Sequence, residues 1–281
     1  MDKKRLYSLL MAVYLILLVV LSAYDLSFSV EMTKNASGLF VEAGRRIGPL
    51  PALLCPCYGV LGLGNNPRQK KISQLIGAAL CGGAAYSLSI PSTKEPLSFL
   101  LFVLYALLLI YLMSRLPLPE DSRKTRTILW IGIGTVLIGF LLVQIMKFSW
   151  GRPRYLAIVQ EGAEFREWMA IQGFAFRSDL YRSFPSAHAF CASVSFLLAF
   201  LPDLFENMKI RRGTWIVTAA VFTAVISFSR IVGGKHFISD VMAGAGLFLL
   251  LLLIAVFINW EVLYGQNQKE DESIHDGAVR P

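Results

Sequence analysis

Residues 240–259 form a nearly unbroken apolar run and read DVMAGAGLFLLLLLIAVFIN. A transmembrane helix needs about 20 apolar residues to cross the hydrocarbon core of a bilayer, so this run predicts a membrane span. The composition agrees, because 55% of the 281 residues are hydrophobic and only 16% are charged, whereas soluble domains carry about 25% charged residues. A soluble enzyme, a disordered chain and a collagen-like chain are therefore excluded.

Seven further apolar runs, separated by polar breaks, precede this one. Their approximate bounds are 6–25, 48–64, 75–91, 97–114, 128–146, 188–203 and 214–232. The first run is too long for the apolar part of a signal peptide, so we expect it to stay as a span. The run at 48–64 is the weakest, because three prolines interrupt it, and it is either re-entrant or strongly tilted. The pattern predicts an all-α, polytopic helical membrane protein with about eight spans.

The formal net charge of +8 lies in short loops between the apolar runs and forms no continuous arm, which argues against a nucleic-acid partner. If the N-terminus is cytoplasmic, the cytoplasmic segments hold 13 basic residues, as the positive-inside rule expects. These residues are Lys3, Lys4, Arg5, Arg68, Lys70, Lys71, Arg115, Arg123, Lys124, Arg126, Lys209, Arg211 and Arg212. We therefore predict that both termini are cytoplasmic. The expected location is a bacterial cell membrane. The loop at 147–187 on the opposite side also holds six basic residues, so the orientation depends on what that loop does.

Polar and ionisable residues gather in three segments at the ends of predicted spans. They read KFSWGRPR (147–154), SFPSAH (183–188) and SRIVGGKHFISD (229–240). If the spans alternate across the membrane, all three segments emerge on the same face. Ionisable groups at membrane depth are costly and usually functional, so we predict one site built from the three segments, on the extracytoplasmic side.

The first chemical signal in these segments is a set of groups suited to phosphate. Lys147, Arg154 and Arg230 supply cationic donors that match a phosphoryl dianion and its transition state. Ser186 is a favourable N-cap at the predicted start of the sixth span, where free N–H groups and the helix dipole bind anions. His188 would then stand in the first turn, beside the bound anion.

The second signal is a histidine and a carboxylate, His236 and Asp240, four positions apart. On a helix the two share a face, so the carboxylate can accept the Nδ1–H of the imidazole and leave Nε2 as a nucleophile or base. Each residue alone also has an ordinary interpretation: a satisfied polar group at a helix end, or a basic residue contacting lipid headgroups. The occurrence of two histidines, a carboxylate and a capping serine on one side of the membrane favours a functional site over these ordinary interpretations. His275, in the acidic tail, is interpreted as a surface residue.

The three segments resemble the motifs of the type 2 phosphatidic acid phosphatase superfamily, which includes membrane lipid phosphatases, bacterial acid phosphatases and vanadium haloperoxidases. Those motifs read Lys, six residues, Arg-Pro; then Pro-Ser-Gly-His; then Ser-Arg, five residues, His, three residues, Asp. The resemblance covers about residues 147–240. Two positions depart from it, because Tyr155 replaces a proline and Ala187 replaces the glycine. Alanine adds a methyl group but keeps the backbone N–H, so we expect activity to be retained.

The resemblance implies a six-helix phosphatase-type core and a phosphohistidine mechanism. By this analogy His236 is the nucleophile, Asp240 orients it, and His188 acts as general acid and then as general base. The phosphate-binding residues would be Lys147, Arg154, Ser186, Ala187 and Arg230. No metal or other cofactor is implied. A bell-shaped pH profile is expected, because His236 must be neutral and His188 protonated.

Three regions are predicted: N-terminal spans at 1–126, a catalytic membrane domain at 127–260 and a disordered acidic tail at 261–281. The substrate is expected to be a lipid phosphate in the bilayer, either phosphatidate, phosphatidylglycerophosphate or undecaprenyl pyrophosphate. Residues 155–184 form either an amphipathic interfacial lid or a packed loop. Two other functions are alternatives to lipid phosphate hydrolysis. One is transfer of the phosphoryl group to another alcohol, and the other is transport of anionic lipids without catalysis. The oligomeric state stays open.

Overall fold

The computed structural model describes residues 3–34, 36–64, 67–89, 96–173, 178–205 and 207–265. Within these ranges all regular structure is helical, which confirms the predicted all-α architecture. Residues 261–265 of the predicted disordered tail are helical, and Leu263 is buried. The rest of the tail, including His275, lies outside the described residues, as do four positions of the loop at 155–184.

Twelve α-helices and two 3-10 helices are delimited in the described part of the chain, and residues 260–265 are also helical. The α-helices are α1 (Lys3–Ser22), α2 (Asp25–Thr33), α3 (Gly38–Ile47), α4 (Leu50–Gly62), α5 (Pro67–Ser89), α6 (Pro96–Arg115), α7 (Arg123–Trp150), α8 (Tyr155–Glu161), α9 (Ala187–Ser193), α10 (Leu201–Leu204), α11 (Arg212–Val232) and α12 (Ile238–Ile258). The 3-10 helices are Asp179–Tyr181 and Val194–Phe200, and the second joins α9 to α10.

Six helical segments of the described residues are long and apolar enough to cross a bilayer. They are Arg5–Ser22, Arg68–Ser89, Arg123–Glu161, Ala187–Leu204, Arg212–Val232 and Ile238–Ile258. Two of the eight predicted spans are shorter than expected. The run at 48–64 corresponds to α4, which has 13 residues with Pro56 inside, and about 20 Å of helix falls short of the roughly 30 Å hydrocarbon core. The run at 97–114 gives an apolar helix over Phe99–Arg115, near the lower limit of spanning length.

The ends of α7 follow from its sequence. Ser122 caps the N-terminus, because its side-chain oxygen accepts the Thr125 backbone N–H at 3.0 Å. Gly151 terminates the helix with a φ of 58°, in the left-handed region that favours glycine. The turn at Gly151 leaves Lys147 on the last helical turn and places Arg152 in the loop that follows.

α9 and α12 pack against each other in the centre of the bundle. The rings of Phe190 and Phe248 meet edge to face with centroids 5.7 Å apart, and Val143 of α7 lies in the same buried cluster. Gly244 allows α12 to approach the backbone of α9 closely, since a Cβ at this position would collide with the Ser186 carbonyl. This packing brings the second and third predicted segments together.

The N-terminal helices α2 and α3 adjoin the same end of the bundle. α3 packs on α11, and α2 contacts both α11 and α12. Gly44 on α3 lies directly against Ser229 on α11, where a Cβ would collide with the serine side chain. The residues before 126 therefore border the helices that carry the predicted motifs.

Candidate active site

The three predicted segments meet at one end of the bundle, and backbone hydrogen bonds tie them together. The Ser186 N–H donates to the Asp240 carbonyl at 2.8 Å, which joins the second segment to the third. The Ser183 N–H donates to the Arg152 carbonyl at 3.0 Å, which joins the second segment to the first. The convergence expected from alternating spans therefore occurs in the fold.

Ser186 is the N-cap of α9, as its position in the sequence predicts. Its side-chain oxygen accepts the Ala189 backbone N–H at 3.4 Å, and the residue is fully buried. His188 lies in the first turn of α9 and faces the backbone carbonyl of Arg45 in α3. Gly48 borders the same imidazole, because a Cβ there would lie 3.4 Å from His188 Cδ2. One wall of the site is therefore supplied from outside the three segments.

His236 and Asp240 meet through a helix-capping turn and not, as predicted, through a shared helix face. α12 begins at Ile238, so His236 precedes the helix while Asp240 lies in its first turn. Asp240 Oδ2 accepts the Phe237 backbone N–H at 2.8 Å, and this turn leaves His236 Nδ1 3.6 Å from the same oxygen. That distance is longer than a hydrogen bond. His236 Nδ1 is buried and has no hydrogen-bond partner in the described part of the chain.

The surroundings of His236 favour its neutral form. Burial lowers the pKa of His236 well below its ordinary value; Asp240 opposes this shift, while Lys147 and Arg154 add to it. The residue is only 2% exposed, so a charged ring would lose most of its hydration. A neutral imidazole keeps a free lone pair, which a nucleophile or general base requires.

The three predicted phosphate-binding cations, Lys147, Arg154 and Arg230, are all buried at this end of the bundle. Arg154 is paired with the exposed carboxylate of Asp179 at 2.8 Å. Arg230 Nη1 donates to the Val41 carbonyl in α3 at 3.4 Å. The Nε atoms of both arginines are buried without a hydrogen-bond partner among the residues the structure describes. These donors are suited to an anionic oxygen.

Sequence reasoning missed a buried ionic network behind Asp240. Arg152 is fully buried, and its Nη1 contacts Asp240 Oδ1 at 2.6 Å while its Nη2 contacts Asp25 Oδ2 at 2.9 Å. Ser239 donates its backbone N–H to Asp25 Oδ1 at 2.8 Å. Ser183 Oγ donates to Asp240 Oδ2. The carboxylate that faces His236 is therefore held from several sides.

The sequence contains a signal for part of this network. Asp25 lies at the end of the first predicted span, 6–25, where a carboxylate is costly and usually functional. Arg152 appears in the sequence as one more loop charge, because the motif spacing of Lys, six residues, Arg selects Arg154 and assigns no role to Arg152. The pairing of Asp25 with Arg152 spans 127 positions, so no local pattern reveals it.

The loop at 155–184 packs over the site in the part that is described. Phe165 meets Phe237 edge to face at 5.4 Å, and Trp168 packs on Phe184 at 5.7 Å. Met169 is 62% exposed. Phe174 and Phe176 of the same loop lie outside the described residues. The loop therefore has aromatic residues facing the site and an apolar residue facing outward.

The comparison with protein families is consistent with this geometry. The model of the PAP2 superfamily matches residues 127–262, a range that contains all three segments. The match confirms the resemblance that the segments carry. No curated protein and no solved structure matches the chain.

Proposed function

We propose that this chain, whose residues 127–262 belong to the PAP2 superfamily, is an integral-membrane lipid phosphatase that hydrolyses a phosphomonoester or pyrophosphate headgroup. The observation that carries the proposal is the buried pair of His236 and Asp240, located with Lys147, Arg154 and Arg230 at the end of spanning helices. A neutral imidazole among cationic donors is suited to attack on an anionic phosphoryl group.

In the proposed reaction, His236 Nε2 attacks phosphorus in line, and the bond between phosphorus and the headgroup oxygen breaks. The leaving oxygen keeps the electron pair of that bond and receives a proton from His188. Water then attacks the phosphohistidine and gives its proton to His188, and the phosphorus–nitrogen bond breaks. The products are inorganic phosphate and either a lipid alcohol or a lipid monophosphate.

Asp240 stabilises the positive charge that the His236 ring acquires when Nε2 binds phosphorus. The 3.6 Å separation between Nδ1 and Oδ2 would shorten in the complex, since catalytic hydrogen bonds commonly tighten when substrate binds. Lys147, Arg154 and Arg230, with Ser186 and the backbone N–H of Ala187, would bind the remaining phosphoryl oxygens.

The position of the site favours a substrate that stays in the bilayer. The proposed catalytic groups lie at the ends of α7, α9, α11 and α12, so a headgroup would react at the membrane interface while its acyl or prenyl tail remains between lipids. Phosphatidate, phosphatidylglycerophosphate and undecaprenyl pyrophosphate are the proposed candidates. An extracytoplasmic active site is part of the proposal.

Phosphate release by the purified full-length protein tests the proposal. We expect release from at least one of the three lipids and a loss of about 10³-fold or more in the His236→Ala variant. His275→Ala is the matched control, because this histidine lies in the tail, and its activity should equal that of the wild type.

The proposed mechanism uses no metal, so activity should persist in excess chelator. Full activity in His236→Ala would show that His236 is not the nucleophile. Complete loss of wild-type activity in chelator, restored by a divalent cation, would refute the metal-independent mechanism.

A further inference from the structure

Asp25 lies outside the segment 127–262 that matches the family, yet it reaches the back of the proposed site. It is the first residue of α2 and is 1% exposed. α2 packs against α11 and α12, the two helices joined by the turn that carries His236. A carboxylate from the N-terminal region is therefore built into the wall behind the proposed nucleophile.

Both oxygens of Asp25 accept hydrogen bonds from the catalytic end of the bundle. Oδ1 accepts the Ser239 backbone N–H at 2.8 Å. Oδ2 accepts Arg152 Nη2 at 2.9 Å and the Ser239 hydroxyl. An acceptor role at both oxygens fits the ionised carboxylate. Burial raises the pKa of Asp25, while Arg152 and Ser239 oppose that shift.

Arg152 connects Asp25 to the proposed catalytic carboxylate. Its Nη1 donates both to Asp240 Oδ1 at 2.6 Å and to Ser239 Oγ at 2.8 Å, and its Nε donates to the Arg166 carbonyl at 2.8 Å. The guanidinium is thus fixed on each side, and two carboxylates share its single positive charge. The ionised cluster of Asp25, Arg152 and Asp240 carries one net negative charge directly behind His236.

We propose that Asp25 is a positioning residue of the phosphatase site, which holds Arg152 and thereby sets the orientation and the effective charge of Asp240 toward His236. This inference rests on the proposed function. Without Asp25, the single charge of Arg152 would neutralise Asp240 alone. Asp240 would then stabilise less well the positive charge that His236 acquires on phosphorylation.

The chemistry predicts an effect on turnover and on the pH profile more than on substrate binding. Asp240 raises the pKa of His236, whereas Lys147 and Arg154 lower it, and Asp25 is connected to Asp240 through Arg152. A weaker negative charge on Asp240 lowers the pKa of His236, because the protonated imidazolium is then stabilised less. The acid limb of kcat/KM should therefore move to lower pH, while KM stays nearly constant.

Asp25→Asn is the direct test, since it preserves the shape of the side chain and removes its charge. We expect kcat to fall about 10- to 100-fold, as is typical when an outer partner of a catalytic group is lost, with KM changed less than about threefold. Asp25→Glu keeps the charge and should recover part of the activity. Wild-type kcat and an unmoved acid limb in Asp25→Asn would overturn the proposal.

Ser239→Ala covers the case in which Asp25→Asn fails to fold, because removal of one partner from a buried ion pair is strongly destabilising. This variant keeps every charge and the backbone bond to Asp25, and it removes only the hydroxyl between Asp25 and Arg152. We expect a two- to tenfold lower kcat, about the effect of one hydrogen bond, at unchanged KM. A Ser239→Ala enzyme with wild-type kcat would overturn the proposal.

Ser29→Ala is the matched control on the same helix. Ser29 is fully buried, and its hydroxyl has no hydrogen-bond partner among the described residues, so wild-type activity is expected. A loss in Ser29→Ala equal to that in Asp25→Asn would assign the effect to packing of α2 and overturn the positioning role. If the proposed function itself is wrong, the wild-type protein releases phosphate from no lipid phosphate, and this result is distinct from an effect seen only in the variants.

Discussion

At the scale of single residues, the neutral state of His236 determines the acid side of the pH profile. The reactive form is the unprotonated imidazole, and burial lowers its pKa. As the pH falls, this form persists below the ordinary histidine pKa of about 6.5. We therefore expect the acid limb of kcat/KM below pH 6.5, measured as phosphate release across a pH series.

Asp240→Asn is the partner experiment for this pH dependence. Asp240 raises the pKa of His236, so its loss should move the acid limb to still lower pH while kcat decreases. If the acid limb of Asp240→Asn moves to higher pH, Asp240 does not raise the pKa of His236. If the acid limb of the wild type lies above pH 6.5, His236 is not a nucleophile whose pKa is lowered by burial.

Arg154 and Asp179 form a second residue-scale contact with a measurable consequence. The pair joins Arg154 Nη1 to Asp179 Oδ2 at 2.8 Å, and the Asp179 side chain is 75% exposed. Asp179 occupies both Nη atoms of Arg154, so a substrate phosphate that binds these two atoms must displace the carboxylate. Exposed ion pairs contribute about 0.2–1 kcal/mol, so Asp179→Asn should lower KM by up to about fivefold and leave kcat unchanged. Steady-state kinetics over a lipid concentration series measure both values; a raised KM would instead assign Asp179 to holding Arg154 in place.

At the scale of elements, the contact between α3 and α11 forms part of the site. Gly44 of α3 lies so close to Ser229 that even a methyl group would collide with it. Gly44→Ala should push α3 away from α11 and disturb the Val41 carbonyl, which accepts from Arg230. A displacement of about 1 Å can cost about 10²-fold in rate, and kcat together with thermal stability measures the effect.

Gly38→Ala is the control for that experiment, because it lies on the same helix and a Cβ there would have no neighbour within 4 Å. It should behave like the wild type. If Gly44→Ala also matches the wild type in kcat and stability, the close approach of α3 is not needed for catalysis.

The helices of the site could be predicted from the sequence to different degrees. Ser186 predicts the start of α9 correctly, because a serine cap before a first turn is a local signal. The helix-face arrangement of His236 and Asp240 is wrong because spacing alone cannot show that α12 begins only at Ile238. In α4, Pro56 lies within the helix, but hydropathy does not reveal that only 13 residues are helical.

At the scale of the whole molecule, the family match and the site do not have the same extent. Residues 127–262 contain the motifs, and motifs can be recognised because catalytic chemistry restricts residue type and spacing. Asp25 and the carbonyl of Val41 come from the N-terminal helices. Contacts of this kind depend on tertiary packing over more than 100 positions, so local sequence patterns cannot predict them.

The sidedness of the membrane protein is the prediction that involves the whole chain. Arg123, Lys124 and Arg126 lie at the start of α7, and Arg211 and Arg212 lie at the start of α11. Lys147 and Arg230 lie in the last turns of the same two helices, at the site. The positive-inside rule then predicts a cytoplasmic loop between α6 and α7 and an extracytoplasmic site.

Labelling of two introduced cysteines tests this orientation. Lys34→Cys places a thiol after α2, where the native side chain is 57% exposed, and Leu118→Cys places one in the α6–α7 loop at a residue 55% exposed. In intact cells a membrane-impermeant maleimide should label Lys34→Cys and not Leu118→Cys, and after permeabilisation it should label both. The wild-type chain is the background control, because Cys57, Cys81 and Cys191 are buried and Cys55 is partly buried. The reverse labelling pattern would place the site on the cytoplasmic side, and the positive charges would then need an explanation other than topology.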